Sequence, residues 1–232
     1  MTAPFEIIFV DPNPALCAAW RTAFQAWERV RIVHGCFEQL PAFDLMVSPA
    51  NSFGLMDGGI DAAIIRYFGD ELAVRVQARI RVEFWGEQPV GTCFIIETGD
   101  PQHPFLAHTP TMRVPMVVEG TDNVYSAMRA MLLATHKHNA TQELRIATIA
   151  CPGLGTGVGM MPPEMAARQM AIAYKHFLEP PTHAEWRDAI ERHLRVTMPS
   201  RKPIVPEIIP VSYTHLRAHE TKANLVCRLL LE

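Results

Sequence analysis

Short apolar runs alternate along the chain with segments whose apolar residues recur at helical spacing. FEIIFV (5–10) is almost continuously apolar, the pattern of a strand buried on both faces. Asn13 then offers a helix N-cap, and Pro14 fills the first helical position, where its missing N–H costs nothing. Leu16, Ala19, Trp20, Ala23, Phe24 and Trp27 follow as one helical stripe. VRIVHG (30–35) and DLMVSPAN (44–51) read as two further strands. A helix is predicted from near Gly59 with Ile60, Ile64 and Tyr67 inward, and a second over about 70–83. CFIIET (93–98) and PFLAHT (104–109) are predicted strands, and a helix over 122–138 buries Met128, Met131 and Leu132. LRIATIA (144–150) is predicted as a strand, and Pro162–Pro163 open a helix with Ala166, Met170, Ala173, Tyr174 and Phe177 inward.

This alternation predicts an α/β fold, with helices on both faces of a mostly parallel or mixed sheet. Ligands on such sheets bind in the crevice at the carboxyl ends of the strands. No internal repeat is visible. One domain is expected over 1–195, with a last helix over 182–194 and a proline-rich extension over 196–211. The stretch SYTHLRAHETKANLVCRLLLE (212–232) continues no earlier pattern and resembles translated sequencing-adapter sequence. It is read as non-native, so no function is placed on His215, His219 or Cys227.

Composition narrows the function classes. The 232 residues carry 21 Lys and Arg against 24 Asp and Glu, a formal net charge of −3. That balance removes the simplest case for nucleic-acid binding, which needs a cationic surplus. No apolar run approaches the ~20 residues of a membrane span. The N-terminus lacks the basic and apolar regions of a signal peptide. The five cysteines form no C-x-x-C pair, which fits a reducing, cytoplasmic setting. His136 and His138 lie two apart, on different helix faces, so no metal site is expected.

The informative segments are two glycine-rich junctions. VSPANSFGLMDGGIDAAI (47–64) leaves a strand, passes Gly54, Gly58 and Gly59, and enters a helix with Asp61 in its first turn. Free N–H groups and the positive end of the helix dipole make such a start an anion site. Asn51 adds an amide that both donates and accepts. A tight turn with Asp61 merely favouring the helix start explains the same residues. ATIACPGLGTGVGMMPP (147–163) again joins a strand to a helix, with glycines at 153, 155, 157 and 159. Successive N–H groups in such a loop can wrap a diphosphate, and Thr156 adds a hydroxyl. The loop is neither a P-loop nor a G-x-G-x-x-G fingerprint, because Val158 and Met160 stand where a third glycine would be needed. Together the two junctions can form two walls of one cleft, suited to a pyrophosphate between two ribosyl groups.

Through PANSFGLMDGGIDAAI (49–64), FLAHTP (105–110) and CPGLGTGVG (151–159), in that order, the chain resembles the macrodomains, modules that bind ADP-ribose. The likeness covers about residues 30–178, and its SPANSFG wording looks like a bacterial or phage-associated branch. The resemblance implies a three-layer α/β/α sandwich with a mixed, mostly parallel central sheet. It implies that Asn51 contacts the distal ribose and that Gly58, Gly59 and Ile60 face the ribose and diphosphate. Gly153, Gly155, Thr156, Gly157, Val158 and Gly159 then belong to the diphosphate loop. Asp61, ten residues after Asn51, has the spacing of the aspartate that positions or activates water in hydrolytic members. His108 lies where many members carry a histidine, and reads better as a satisfied core residue. Two departures stand out. Cys36 replaces the aspartate that accepts from the adenine amino group, leaving the Phe37 backbone to contact the base. Gly159 and Met160 stand where hydrolytic members often carry an aromatic residue.

Three classes of function follow. The expectation is a domain that binds ADP-ribose, free or protein-linked. It is either a reader or a hydrolase of mono-ADP-ribose esters with Asn51 and Asp61 as catalytic residues. Neither cofactor nor metal is implied, and no membrane or nucleic-acid partner. A remote alternative is a nicotinamide-dependent oxidoreductase using the 153–159 glycines, with Glu179 as ribose reader. Another is a cysteine nucleophile at Cys151.

Overall fold

The computed structural model describes residues 4–183 and 185–197. Six strands form one sheet, ordered β2-β1-β6-β3-β5-β4. They are β1 (Glu6–Asp11), β2 (Val30–His34), β3 (Leu45–Ser48), β4 (Phe94–Glu97), β5 (Phe105–His108) and β6 (Thr148–Cys151). All neighbours are parallel except the edge strand β4, which runs antiparallel to β5. Among the described residues five helices flank the sheet, α1 (Pro14–Ala23), α2 (Gly59–Phe68), α3 (Glu71–Glu83), α4 (Asn123–Thr141) and α5 (Pro163–Leu178), and a sixth, α6 (Trp186–Thr197), packs against α5.

The sheet separates two cores. Ile7, Phe9, Leu45 and Val47 point into one with Trp20, Met128, Met131 and Tyr174, under α1, α4 and α5. Val10, Met46 and Leu106 point into the other with Ile64, Leu72, Val76 and Ile80, under α2 and α3. Successive strand residues face opposite layers, so near-continuous apolar strands are what a sheet covered on both faces demands. The expected sandwich with a mixed, mostly parallel sheet is therefore the observed architecture.

Several boundaries differ from the periodicity, each for a local reason. The stripe of α1 runs to Trp27, but the helix stops at Ala23, with Phe24 as its C-cap. Asn13 caps its start by accepting from Ala15 and Leu16. The predicted strand 144–150 begins only at Thr148. Asn139 of α4 binds both the N–H and the C=O of Ile146, at 2.7 Å each, and holds that stretch to the helix end. Asp44 accepts the N–H groups of Ala147 and Thr148, which fixes where the strand starts. Tyr67, expected inward, is 41% exposed and sits edge-on to Phe37 and Phe68. The last helix runs Trp186–Thr197 rather than 182–194. The remainder of the 196–211 extension and the 212–232 tail lie outside the described residues. No helix among the described residues is long and apolar enough to cross a membrane.

Candidate functional site

The carboxyl ends of β1, β6, β3 and β5 lie side by side, so the segments that follow them share one edge of the sheet. After β3, Asn51 organises its own loop. Its Oδ1 accepts the N–H groups of Phe53 (3.0 Å) and Leu55 (3.3 Å), and its Nδ2 donates to the Leu55 carbonyl (2.8 Å). Gly54 has φ +66°, and a Cβ there would meet Ile80 at 2.8 Å, so both conformation and space require glycine. Gly58 caps α2 without a side chain. Among the described residues, the N–H groups of Gly59, Ile60 and Asp61 have no acceptor within the protein.

Asp61 lies in this first turn and is buried. Its Oδ1 accepts the Ser48 hydroxyl at 2.6 Å. Burial pushes its carboxyl up to about 7, and the Ser48 hydrogen bond pulls the other way. The protein thus holds an acid near half-ionisation at neutral pH, at the positive end of α2.

The loop after β6 is shaped by close approaches. A Cβ on Gly153 would meet Leu16 at 2.6 Å and the Asp11 carboxylate at 2.9 Å, and one on Gly159 would strike the Gly155 carbonyl. Gly155 is left-handed, at φ +69°. Met161 donates to the Gly155 carbonyl, and Met160 to that of Gly157. The N–H groups of Gly155, Thr156, Gly157, Val158 and Gly159 have no acceptor among the described residues.

A third segment, which sequence reasoning missed, closes the cleft. Met112 bridges to Asn51, and Ser52 donates to the carbonyls of Met112 and Arg113. Five residues on, Val118 donates to the Gly159 carbonyl at 2.8 Å. Met112–Val118 is therefore a strap tied at one end to the first loop and at the other to the second. The signal for it was the position of β5 beside β3: whatever follows FLAHTP must leave at the same sheet edge.

The resulting hollow, about 140 Å³, is lined by both loops and the strap. Asn51, Gly58, Gly59, Ile60, Asp61, Gly153, Gly155, Gly157, Val158 and Gly159 all reach it, joined by Leu55, Asp57 and Pro115. Two expected residues do not. The Thr156 side chain turns back against Gly153, and the Phe37 ring is buried edge-on to Tyr67 at 5.5 Å. Gly153 lines the hollow, but its N–H is already donated to Asp11 at 3.2 Å. The Phe37 N–H has no acceptor among the described residues, and its neighbour Cys36 is exposed. A larger hollow of about 920 Å³ lies between α3, α4 and β4, remote from the glycine loops. Two of its three lining cations are already committed: Arg79 pairs with Glu83, and Arg75 donates to the Thr98 carbonyl.

Other candidate groups are core residues. His108 is buried, stacks on Phe94 at 5.2 Å and shares a 2.6 Å hydrogen bond with Gln88. Burial pulls its imidazole down to about 3, so it is neutral in the folded chain. Cys151 is buried, and burial pushes its thiol far up, which removes the thiolate a nucleophile needs. Glu179 caps the end of α5, not a second strand, so the oxidoreductase alternative lacks its ribose reader. Among the described residues no three His, Cys, Asp or Glu side chains gather as a metal set.

The Macro domain family pattern matches residues 47–170, which include both loops and the strap. An uncharacterized protein of Aquifex aeolicus is 33% identical over 64% of this chain and 82% of its own length. One of Saccharolobus solfataricus is 28% identical over 64% of this chain and 77% of its own. Among solved structures, the macrodomain of Mycobacterium tuberculosis DarG superposes with a TM-score of 0.51 at 20% identity, covering 61% of this chain and 87% of that one. The Oceanobacillus iheyensis macrodomain with ADP gives 0.50 at 25% identity, over 60% and 71%. Strand order, glycine junctions and matched span agree, and the chain belongs to the Macro domain family.

Proposed function

We propose that the cleft binds ADP-ribose, free or carried on a protein. One observation carries this reading: two separate loops present unpaired backbone N–H groups to a single hollow. Unpaired amides at a helix start and in a glycine loop are donors for phosphate oxygens. The similarity to a macrodomain solved with ADP supports the same ligand class. Gly155, Gly157, Val158, Gly159 and the Thr156 N–H wrap the diphosphate, while Gly153 contributes shape. Gly58, Gly59 and Ile60 face the second phosphate and ribose, with Asn51 on the distal ribose. The hollow holds the ribosyl-diphosphate end, and the base lies outside it, near the Phe37 N–H and Cys36. A thiol is a weak acceptor, so adenine is read loosely. The SPANSFG wording supports placing the chain in a bacterial or phage-associated branch.

A second reading, hydrolysis of ester-linked mono-ADP-ribose, is favoured by Asp61. A buried carboxyl with its titration near 7, lining the cleft beside Asn51, suits a general base that takes a proton from attacking water. Calorimetric titration with ADP-ribose, AMP and NAD tests binding. ADP-ribose is expected to bind more tightly than AMP, and equal affinities would contradict the two-loop cradle. Release of label from a glutamate-linked substrate tests catalysis. Loss of release in Asp61→Ala supports the hydrolase, release unaffected by that change removes the mechanism, and binding without release leaves a reader.

A further inference from the structure

Apolar side chains stand exposed on the three segments that enclose the cleft. Leu55 of the first loop, Val114, Met116 and Val117 of the strap, and Val158 and Met160 of the second loop are all about half exposed or more. They come from three segments that meet at one place. Leu55, Pro115 and Val158 line the hollow, and Val118 ties the end of the strap to Gly159, next to Met160. An apolar patch concentrated around a ligand opening marks an interaction surface more often than scattered exposed residues do.

Met160 strengthens the point. It has φ +50°, the left-handed region that disfavours a side chain, and the residue is 65% exposed. Glycine would hold the same turn without strain. A strained backbone position that presents a flexible apolar side chain to solvent gains nothing for the core, and strain of this kind gathers at functional sites.

The chemistry of the rim also selects its partner. Across 52–60, 111–119 and 153–161 the sole cation is Arg113, and it is ion-paired with Glu87. A nucleic-acid strand would require Lys or Arg here. An apolar polypeptide requires neither.

We propose that this collar docks apolar side chains flanking the modified residue of an ADP-ribosylated protein. The proposal rests on the reading of the cleft as an ADP-ribose site, and the ribose end lined by Asn51 and Asp61 is then the end from which the carrier chain emerges. Free ADP-ribose touches the cleft alone, whereas the carrier touches the cleft and the collar.

The test uses the full chain and two short synthetic peptides, each bearing one non-hydrolysable ADP-ribose on a central residue. One has Leu and Val on either side of it and the other Gly and Ser. Free ADP-ribose and an ADP-ribosylated single-stranded oligonucleotide complete the set. The apolar-flanked peptide is expected to bind about tenfold more tightly than free ADP-ribose, and the polar-flanked one within about twofold of it. The combined variant Met116→Ser, Val117→Ser, Met160→Gly is expected to erase that difference and leave free ADP-ribose unchanged. Met160→Gly alone, which relieves strain, guards against misfolding. Equal affinities for both peptides, or preference for the oligonucleotide, overturn the collar while leaving the cleft intact. A dimer dissociated by the combined variant would assign the surface to a second copy and also overturn it. Failure of free ADP-ribose to bind overturns the cleft itself, and the collar with it.

Discussion

Replacing Asp61 with asparagine should stabilise the protein, and more so at high pH. The side chain is almost fully buried, and burial moves its carboxyl from 3.8 to about 7. In the unfolded chain it ionises near its ordinary value, so between the two values the folded state binds the extra proton. Stability from this group is therefore lost as pH rises from about 4 towards 7. Each unit of displacement is ~1.4 kcal/mol. At pH 5.5 the folded chain carries a penalty of about 2 kcal/mol, and by pH 8 about 4 kcal/mol. An asparagine side chain would keep an oxygen for the Ser48 hydroxyl and carry no charge, so the variant escapes both. The advantage of Asp61→Asn should grow by about 2 kcal/mol between pH 5.5 and 8, or roughly 4–8 °C in Tm for a chain of this size. Thermal melts of both proteins at the two pH values measure it. Parallel Tm changes would refute the reasoning, because they would mean that Asp61 is already ionised and solvated in the folded state.

Gly159→Ala and Gly58→Ala should separate cleanly. A Cβ at 159 collides with the Gly155 carbonyl, whereas one at 58 meets nothing within 4 Å. The first change should therefore cost about 1–3 kcal/mol in denaturant melts, and the second under about 1 kcal/mol. Asn51→Ala removes three hydrogen bonds that hold the first loop. A loss of about 1–3 kcal/mol and at least about tenfold weaker ADP-ribose binding by calorimetry are expected. His108 is held neutral by burial, with its titration lowered to about 3. The unfolded chain takes up that proton near 6.5, so stability is complete above 6.5 and falls as the pH drops towards 3. The deficit is about 2 kcal/mol at pH 5. Chemical melts of His108→Gln should lack that part of the acid loss.

The strands and the two glycine junctions were legible because local chemistry and tertiary structure agree there. Phe9, Trp20 and Ile64 read as buried from spacing alone, since both sheet faces are covered. Contacts distant in sequence were not legible. The late start of β6 depends on Asn139 and Asp44, and no periodicity in 144–150 reports either. Thr156 read as a ligand donor because a hydroxyl among glycines usually is one, yet the cramped Gly153 draws it away. Gly153 lost its donor to Asp11, a residue 142 positions earlier. The strap carries no glycine motif of its own. It is part of the site only because β5 lies beside β3 and Val118 finds Gly159. The apolar rim was hidden for the same reason, because Leu55, Met116 and Met160 fall on three segments that only the fold brings together.

Amide chemical-shift mapping of the 15N-labelled chain on addition of ADP-ribose tests the shared cleft most directly. The N–H resonances of Gly59, Ile60 and Asp61 should move together with those of Gly155 through Gly159, with one common saturation midpoint. Shifts confined to one loop, or two loops saturating at different concentrations, would show that the amides do not serve a single ligand.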